Sequence, residues 1–169
     1  YQFNPRTSLD LTAFHYRYES LRDAAIIGGP IAQPGGYVFI PTINSNANTG
    51  TAQGIEASLD WRPHSDWHIQ AAWSLLDSKI RLAPNRLSSG YADTTPRQML
   101  SLRVAHDLSS NLHWDAWLRH VGKVDAYTIP AYTTLDLRLA WQPRKNLEVS
   151  LVGQNLLDSA HAEYGSSFI

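Results

Sequence analysis

The sequence contains no cysteine and carries little charge. Of its 169 residues 17% are charged, and 14 Lys and Arg against 15 Asp and Glu leave a formal net charge of -1. The missing thiols exclude a disulfide framework and thiolate metal sites. The weak, balanced charge argues against a nucleic-acid partner, because phosphates call for a basic face. A hydrophobic fraction of 43% argues against a disordered chain.

The sequence also lacks an initiator methionine and an apolar run that could form a membrane helix. It begins at Tyr1 with no basic, then apolar leader, so we expect a fragment or a mature piece. Residues 24–55 carry no charged side chain and are long enough to span a bilayer. Their dense Gly and Pro, followed by the polar run Asn44–Asn48, predict instead a long loop with a small hairpin around Tyr37 to Ile43. Any passage through a membrane would then use strands.

What the sequence does contain is alternation of apolar and polar residues with a period of two. From Ile55 to Arg62 every odd position is apolar and every even position is polar. This is typical of a strand with one apolar and one polar face. Seven such segments predict strands of roughly 9 to 13 residues, about the length that a tilted strand needs to cross a bilayer. The segments lie at 8–19, 55–62, 67–75, 100–105, 112–119, 133–142 and 147–154.

The connections between these segments alternate strictly between short and long. This predicts an all-β, antiparallel up-and-down sheet with the short turns at one end and the long loops at the other, as in outer-membrane barrels. The short connections are 63–66, 107–111 and 143–146, and the long ones are 21–50, 80–96 and 122–130.

Tryptophan placement favours a membrane. Four tryptophans lie near the short turns, on the parity of the apolar residues, and they predict a belt of the kind found at a membrane interface. They are Trp61, Trp67, Trp114 and Trp141.

Alternation alone does not decide which face is wet, so a soluble barrel or sandwich that acts as a binding module stays open as an alternative. In a membrane barrel the apolar parity meets lipid and the polar parity lines a lumen. The lipid-facing set would include Ile55, Leu59, Ile69, Leu102, Leu118, Leu137, Leu139 and Leu151. The lumen set would include Arg103, Arg119, Arg138, Glu56, Asp60, Asp115 and Asp136, which could pair with one another.

The seven histidines do not predict a metal or catalytic site. His106, His113 and His120 are seven residues apart, and an odd spacing on strands changes face. The run His64-Ser65-Asp66 is read as a turn, since a catalytic triad is assembled from distant segments. We therefore predict no catalytic residue, no metal and no cofactor. A barrel enzyme of the outer membrane stays open as an alternative of a different class.

Five motifs, in this order and spacing, resemble the C-terminal part of a TonB-dependent outer-membrane receptor. They are Leu9–Phe14, Gly54–Pro63, Thr95-Pro96-Arg97, Ile129–Asp136 and Leu151–Asp158. The resemblance implies that residues 1–169 are one portion of a 22-stranded barrel, without its plug domain and without its final strand.

The resemblance also implies a function. Such receptors lie in the outer membrane of Gram-negative bacteria and take up scarce nutrients, most often a ferric siderophore or cobalamin. The implied partners are outer-membrane lipid, TonB through the plug region, and a small iron-chelate or cobalamin-like ligand. Aromatic and Arg side chains suit an anionic, aromatic chelate, and the alternative is that these side chains only pack or solvate the loops. The candidate ligand-binding residues are Tyr37, Phe39, Asn44, Asn46, Arg81, Arg86, Tyr91 and Tyr127.

Overall fold

The computed structural model describes residues 1–84, 94–158 and 160–163. Eight strands form one antiparallel sheet in chain order, and two further strands pair with each other in a separate hairpin. The described residues contain one 3₁₀ helix, Asp125–Tyr127, and no helix long and apolar enough to cross a membrane. The strands are β1 (Gln2–Asn4), β2 (Thr7–Ile26), β3 (Ile31–Ala32), β4 (Val38–Phe39), β5 (Thr42–Trp61), β6 (Trp67–Arg81), β7 (Gln98–Ser109), β8 (Leu112–Val121), β9 (Tyr132–Arg144) and β10 (Leu147–Gly153).

The predicted antiparallel meander is confirmed. Its seven segments correspond to β2 and β5 to β10, and the sheet order is β1-β2-β5-β6-β7-β8-β9-β10. The edge strand β1 was not predicted, because three residues are too few to show an alternation. The predicted strand lengths were wrong for several strands, since β2 and β5 each have 20 residues and β10 has 7.

The short turns gather at one end of the sheet, as predicted. The amide of Asp107 donates to the carbonyl of Asp66 at 2.9 Å, and the amide of Gln142 donates to the carbonyl of Asn111 at 2.8 Å. Two turns are tighter than the predicted spans 107–111 and 143–146. Pairing of Ser109 with Leu112, and of Arg144 with Leu147, leaves two residues in each turn.

One face of the sheet is apolar, and the described chain leaves most of it uncovered, although Leu156 packs beside Gly153 at its edge. Residues directly opposite in an antiparallel ladder lie on the same face, and Leu59 pairs with Ala71, Ala71 with Leu102, and Leu102 with Leu118. The ladder places all eight predicted residues on this face, which confirms that they share it.

This apolar face is open. Ile55 is 45% exposed and Leu151 is 75% exposed, and none of the eight residues is buried. In the described ranges, the buried apolar residues are Ala25, Val124, Ile129 and Ala140. A soluble barrel would need this face packed into a dry interior, so the open face argues against that alternative.

The first long connection was predicted too long. The ladder between β2 and β5 continues to the pair Ile26–Thr42, which leaves only residues 27–41 to connect these two strands. Backbone hydrogen bonds do not depend on the side chain, so the run of asparagines forms strand despite its poor strand propensity. Side-chain oxygens support the irregular pairing there: Asp23 Oδ2 accepts from the amide of Ala47 at 3.1 Å, and Asn48 Oδ1 accepts from the amide of Ala83 at 3.0 Å.

The small hairpin exists, but not at Tyr37 to Ile43. Its strands are β3 and β4, while Ile43 belongs to β5. The amide of Gln33 donates to the carbonyl of Tyr37 at 3.0 Å and closes a turn in which Gly35 (φ 103°) and Gly36 (φ 81°) adopt positive φ angles. Those angles explain why glycine occupies both positions. Within the described ranges, the hairpin strands contact no other strand.

The third long connection, 122–130, is compact. Val124 and Ile129 exchange backbone hydrogen bonds of 2.9 and 3.1 Å across the 3₁₀ helix. Both side chains are buried, at 7% and 6% exposure. This connection therefore forms an ordered cap at the start of β9.

Candidate functional site

A chain of ion pairs crosses the polar face from β7 to β10. Arg103 Nη2 lies 3.5 Å from Asp115 Oδ1, and Arg138 Nη1 lies 3.3 Å from Asp115 Oδ2. Arg138 Nη2 then reaches Glu148 Oε1 at 2.6 Å. The pairing predicted among these lumen residues is confirmed for Arg103, Arg138 and Asp115. Each partner is partly exposed, so the pairs add little stability and mainly keep this face polar.

A second polar cluster lies beside this chain of ion pairs. Arg119 Nη2 donates to Asp136 Oδ2 at 2.7 Å, and the Arg119 guanidinium lies 4.3 Å from the ring centre of Trp117. Trp117 Nε1 donates to Ser101 Oγ at 2.8 Å, which fixes the indole on this face. Trp117, Arg119 and Glu56 line a groove of about 450 Å³. An aromatic ring next to a guanidinium can hold an anionic, aromatic ligand by stacking and ion pairing.

The segment that follows β10 turns back along β9. Asn155 adopts a positive φ of 52°, its amide donates to Asp136 Oδ1 at 2.9 Å, and the amide of Leu156 donates to the carbonyl of Leu135 at 2.9 Å. Further along, the His161 ring stacks on Tyr132 with 4.1 Å between ring centres, and the His161 side chain is only 8% exposed. The Ile129–Asp136 and Leu151–Asp158 motifs therefore contact each other directly.

An aromatic ladder occupies the polar face of β2 toward the long connections. Phe14, Tyr16 and Tyr18 follow one another along one side of the strand, with ring centres 5.4 and 6.4 Å apart. Their partners across the ladder are Gly54, Ala52 and Gly50. Tyr16 and Tyr18 are 55% and 42% exposed, so their rings are open to a ligand.

Small residues on β5 make room for these rings. A Cβ built on Gly54 would lie 2.6 Å from Phe14 Cζ and 2.4 Å from the carbonyl oxygen of Leu75. The Phe14 ring therefore lies against a backbone position that has no side chain. Glycine at this strand position is explained by the close approach of the ring.

Sequence reasoning did not select the aromatic ladder. The alternation in segment 8–19 is looser than in the other six segments, and this looseness is the signal that points to the ladder. The even-numbered residues of β2 are polar from Ser8 to Thr12 and aromatic from Phe14 to Tyr18. The even-numbered residues stay on the same face of the sheet, but their side chains change from polar to aromatic. This change indicates that the strand passes from one environment to another.

The structure distributes the predicted ligand residues over several places. Tyr37 and Phe39 lie in the hairpin, at 62% and 53% exposure. Asn44 and Asn46 lie on β5 and not in a loop, and Asn44 pairs with Ala24. Tyr127 ends the 3₁₀ helix and is half-buried.

Arg81 is the last residue of β6 and pairs with Thr49, on the continuation of the apolar face. Arg81 thus lies on the face opposite to Phe14 and Tyr16, while Tyr18 lines the same cavity as Arg81. Arg86 and Tyr91 fall outside the described residues. In the described part of the chain, no group of three or more His, Asp or Glu could hold a metal ion.

These features define a class of protein. An antiparallel meander with one open apolar face and one charged face is a section of a large membrane-type β-barrel. The chain belongs to the TonB-dependent receptor family, because the family model "TonB dependent receptor-like, beta-barrel" matches residues 1–156. The predicted family is therefore confirmed. A comparison with curated protein sequences gave no match.

Several solved receptors share the fold. The siderophore receptor PiuA from Acinetobacter baumannii superposes with a TM-score of 0.70 at 19% identity, over 92% of this chain and 22% of that one. The ferric-catecholate import receptor Fiu from Escherichia coli K12 gives 0.65 at 15% identity, over 94% and 22%. The pyoverdine outer membrane receptor FpvA from Pseudomonas aeruginosa gives 0.62 at 16%, over 92% and 23%. The chain thus spans less than a quarter of the length of each of these three.

Proposed function

We propose that the chain is a C-terminal portion of the barrel of an outer-membrane receptor that takes up a ferric siderophore, with energy supplied by TonB through a plug outside residues 1–169. The observation that carries the proposal is the division between the two faces. The apolar face suits lipid, and the polar face holds ion pairs and an aromatic ladder that suit a wet lumen. Family membership supports a receptor that binds and carries its ligand without chemical conversion.

In this proposal the long connections face the outside of the cell and the short turns face the periplasm. Trp61, Trp67 and Trp114 then mark the periplasmic boundary of the membrane, where indole rings suit the interface. Trp67 and Trp114 contact edge to face at 6.3 Å. The aromatic ladder lies toward the outer end of the lumen, where an incoming chelate would meet it first.

The ligand class follows from the chemistry of the polar face. Tyr16 and Tyr18 offer exposed rings for stacking at the outer end, while Trp117 and Arg119, lower on the same face, combine a ring with a cation. Iron chelates with aromatic groups are anionic and match both features. Tyr37, Phe39 and Tyr127 belong to the connections at the same end of the sheet and extend the proposed site.

The test is ligand binding by the intact receptor. Tyr16→Ala with Tyr18→Ala should weaken the binding of a ferric tris-catecholate by about tenfold or more, since stacking on each ring contributes about 0.5 to 1.5 kcal/mol. The matched control replaces two exposed aromatics at the short-turn end, Phe3→Ala with Trp141→Ala, and should leave affinity unchanged. If both double variants bound the chelate as tightly as the unaltered receptor while their barrels stayed intact, the ligand site would lie away from the aromatic ladder.

The residues selected from the sequence need their own variant. Tyr37, Arg86 and Tyr127 are replaced together by Ala, and a loss of more than tenfold in affinity is expected if they contact the chelate. Arg81 is left unchanged, because it lies on the continuation of the apolar face. Cyanocobalamin and a ferric trihydroxamate serve as competing ligands. Binding of cyanocobalamin alone would contradict the siderophore assignment while leaving the receptor class intact.

A further inference from the structure

The outer part of the apolar face changes character in regular steps across β2, β5 and β6. Rows of directly paired residues lie side by side on these strands. The row Ala13–Ile55–Leu75 is apolar. The next row on the same face, His15–Gln53–Asp77, is polar and hydrogen-bonded, with His15 to Gln53 at 3.3 Å and Gln53 to Asp77 at 3.4 Å. The face therefore leaves its apolar environment between these two rows.

The height of this transition matches a membrane. Eight residues separate Trp61, at the short-turn end, from Gln53. At about 3.3 Å per residue this is roughly 26 Å along the strand, or about 20 Å across the bilayer for a tilt near 40°, close to the apolar band of about 25 Å in such barrels. The polar row thus lies at the level of lipid headgroups.

Cations follow immediately above the polar row. The next row is Arg17–Thr51–Lys79, and Arg81 pairs with Thr49 one step further. These residues, together with Tyr18, Glu19 and Gly50, line an open cavity of about 440 Å³. Lys79 Nζ is 3.2 Å from Asp77 Oδ2, whereas Arg17 and Arg81 have no carboxylate partner within the part of the chain that the structure describes. Both guanidinium groups are therefore available to an anion.

We propose that this cavity binds the phosphate-bearing headgroup of a lipid in the outer leaflet. Lys79 is paired with Asp77, and the remaining two guanidinium groups against one carboxylate in the cavity wall make it complementary to an anion. Arg suits phosphate because its N–H groups can bind two oxygens at once. The cavity continues directly into the apolar face, so the acyl chains of the same lipid would lie along Ile55 and Leu75. A free anion would use only the upper half of this surface.

The experiment uses the intact receptor in detergent micelles and native mass spectrometry. Dioleoyl phosphatidic acid is titrated against dioleoylglycerol, which has the same chains and no phosphate. The phosphorylated lipid should bind at least about tenfold more tightly. Arg17→Gln with Arg81→Gln should weaken it by about 25-fold, or about fivefold per cation. Glu19→Gln should change affinity in the opposite direction, because it removes the one anion of the cavity wall.

The matched control is Arg144→Gln with Lys145→Gln, which removes two exposed cations at the opposite end of the sheet and should leave the affinity unchanged. Arg17→Lys with Arg81→Lys keeps the charge and should retain most of the binding. Equal weakening by the control pair, equal affinity for the two lipids, or displacement by equimolar inorganic phosphate would overturn the proposal. Nutrient binding is measured separately, so failure here leaves the receptor proposal intact.

Discussion

Asp136 connects two parts of the chain that are far apart in sequence. Its carboxylate accepts from Arg119 Nη2 and from the backbone amide of Asn155, and its side chain is only 19% exposed. Arg119 Nε is buried without another partner among the described residues. Asp136 therefore supports both the guanidinium and the turn after β10.

Replacing Asp136 with Ala should destabilise the intact receptor by about 1 to 3 kcal/mol, because it removes the charge-assisted hydrogen bond from Arg119 and the hydrogen bond from the amide of Asn155. The measurement is the urea midpoint of unfolding in lipid vesicles. Asp125→Ala is the control, since Asp125 forms an exposed pair with Lys123 at 2.9 Å. It should cost at most about 1 kcal/mol. Equal midpoint shifts for the two variants would remove Asp136 from this structural role.

Gly54 is a second residue with a specific steric role. Gly54→Ala should lower stability by about 1 to 3 kcal/mol, because the new methyl group would meet Phe14 and the carbonyl of Leu75 at distances that cannot persist. Gly29→Ala is the matched control, since nothing lies within 4 Å of its Cβ position. Near-ultraviolet circular dichroism would report the altered aromatic packing. A wild-type spectrum and stability in Gly54→Ala would contradict the described contact.

For single residues, the sequence predicted the face of the sheet on which a side chain lies more reliably than the role of that side chain. The pairing of Arg103 and Arg138 with Asp115 could be predicted, because parity placed them on one face. The aromatic ladder could not, because Phe14, Tyr16 and Tyr18 stand on a parity that is polar lower on the strand. The support that Asp136 gives to Asn155 arises from a turn back along β9, which no periodicity encodes.

At the scale of the strand, the two faces should respond oppositely to charge. Leu137 lies four residues from Trp141 on the apolar face and is 40% exposed. In a membrane it would be near the middle of the apolar band. Leu137→Lys should therefore destabilise the receptor by about 2 to 4 kcal/mol in lipid vesicles.

Ser150→Lys provides the comparison on the polar face. Ser150 is exposed and pairs with Ala140 on β9, so a lysine there would meet water in the lumen. It should change the unfolding midpoint little. If the two lysine variants were equally stable in vesicles, the assignment of the apolar face to lipid would be wrong.

The strands were predictable wherever the two faces of a strand meet different environments, one apolar and one polar. All seven alternating segments became strands, and the belt of tryptophans lies on the apolar face near the short turns. The ends of β2 and β5 were not predictable, because Asn44–Asn48 and the partly apolar run to Ile26 show no contrast. Where both faces of a pair of strands meet water, the sequence shows no alternation of apolar and polar residues, so the strands cannot be predicted from it.

At the scale of the whole molecule, the two outermost strands of the sheet are unpaired on one side. Within the described residues β1 pairs only with β2, and β10 pairs only with β9. Open edges offer free backbone donors and acceptors to other chains. Residues 1–169 expressed alone should therefore form concentration-dependent oligomers in detergent micelles, as measured by analytical ultracentrifugation.

Two lysines on the outer edge are expected to reduce that association. Val149 and Leu151 lie on β10 and are 54% and 75% exposed. Val149→Lys with Leu151→Lys introduces charge of the kind that natural edge strands use against pairing. Leu100→Lys with Leu102→Lys, on β7 where both residues pair with β6 and with β8, is the control and should leave the distribution of oligomers unchanged. A monodisperse wild-type chain at all concentrations would contradict the prediction.

The long ladder between β2 and β5 has one more consequence, for amide hydrogen exchange. The ladder runs unbroken from Thr7–Trp61 to Tyr18–Gly50, yet the face beside it changes from apolar at Ile55 to polar at Gln53. Lower amides would be shielded by hydrogen bonds and by lipid, whereas upper amides would be shielded by hydrogen bonds alone. Deuterium should therefore enter each strand as two kinetic populations that meet near Phe14 and Gly54, and their boundary would locate the membrane surface on the protein.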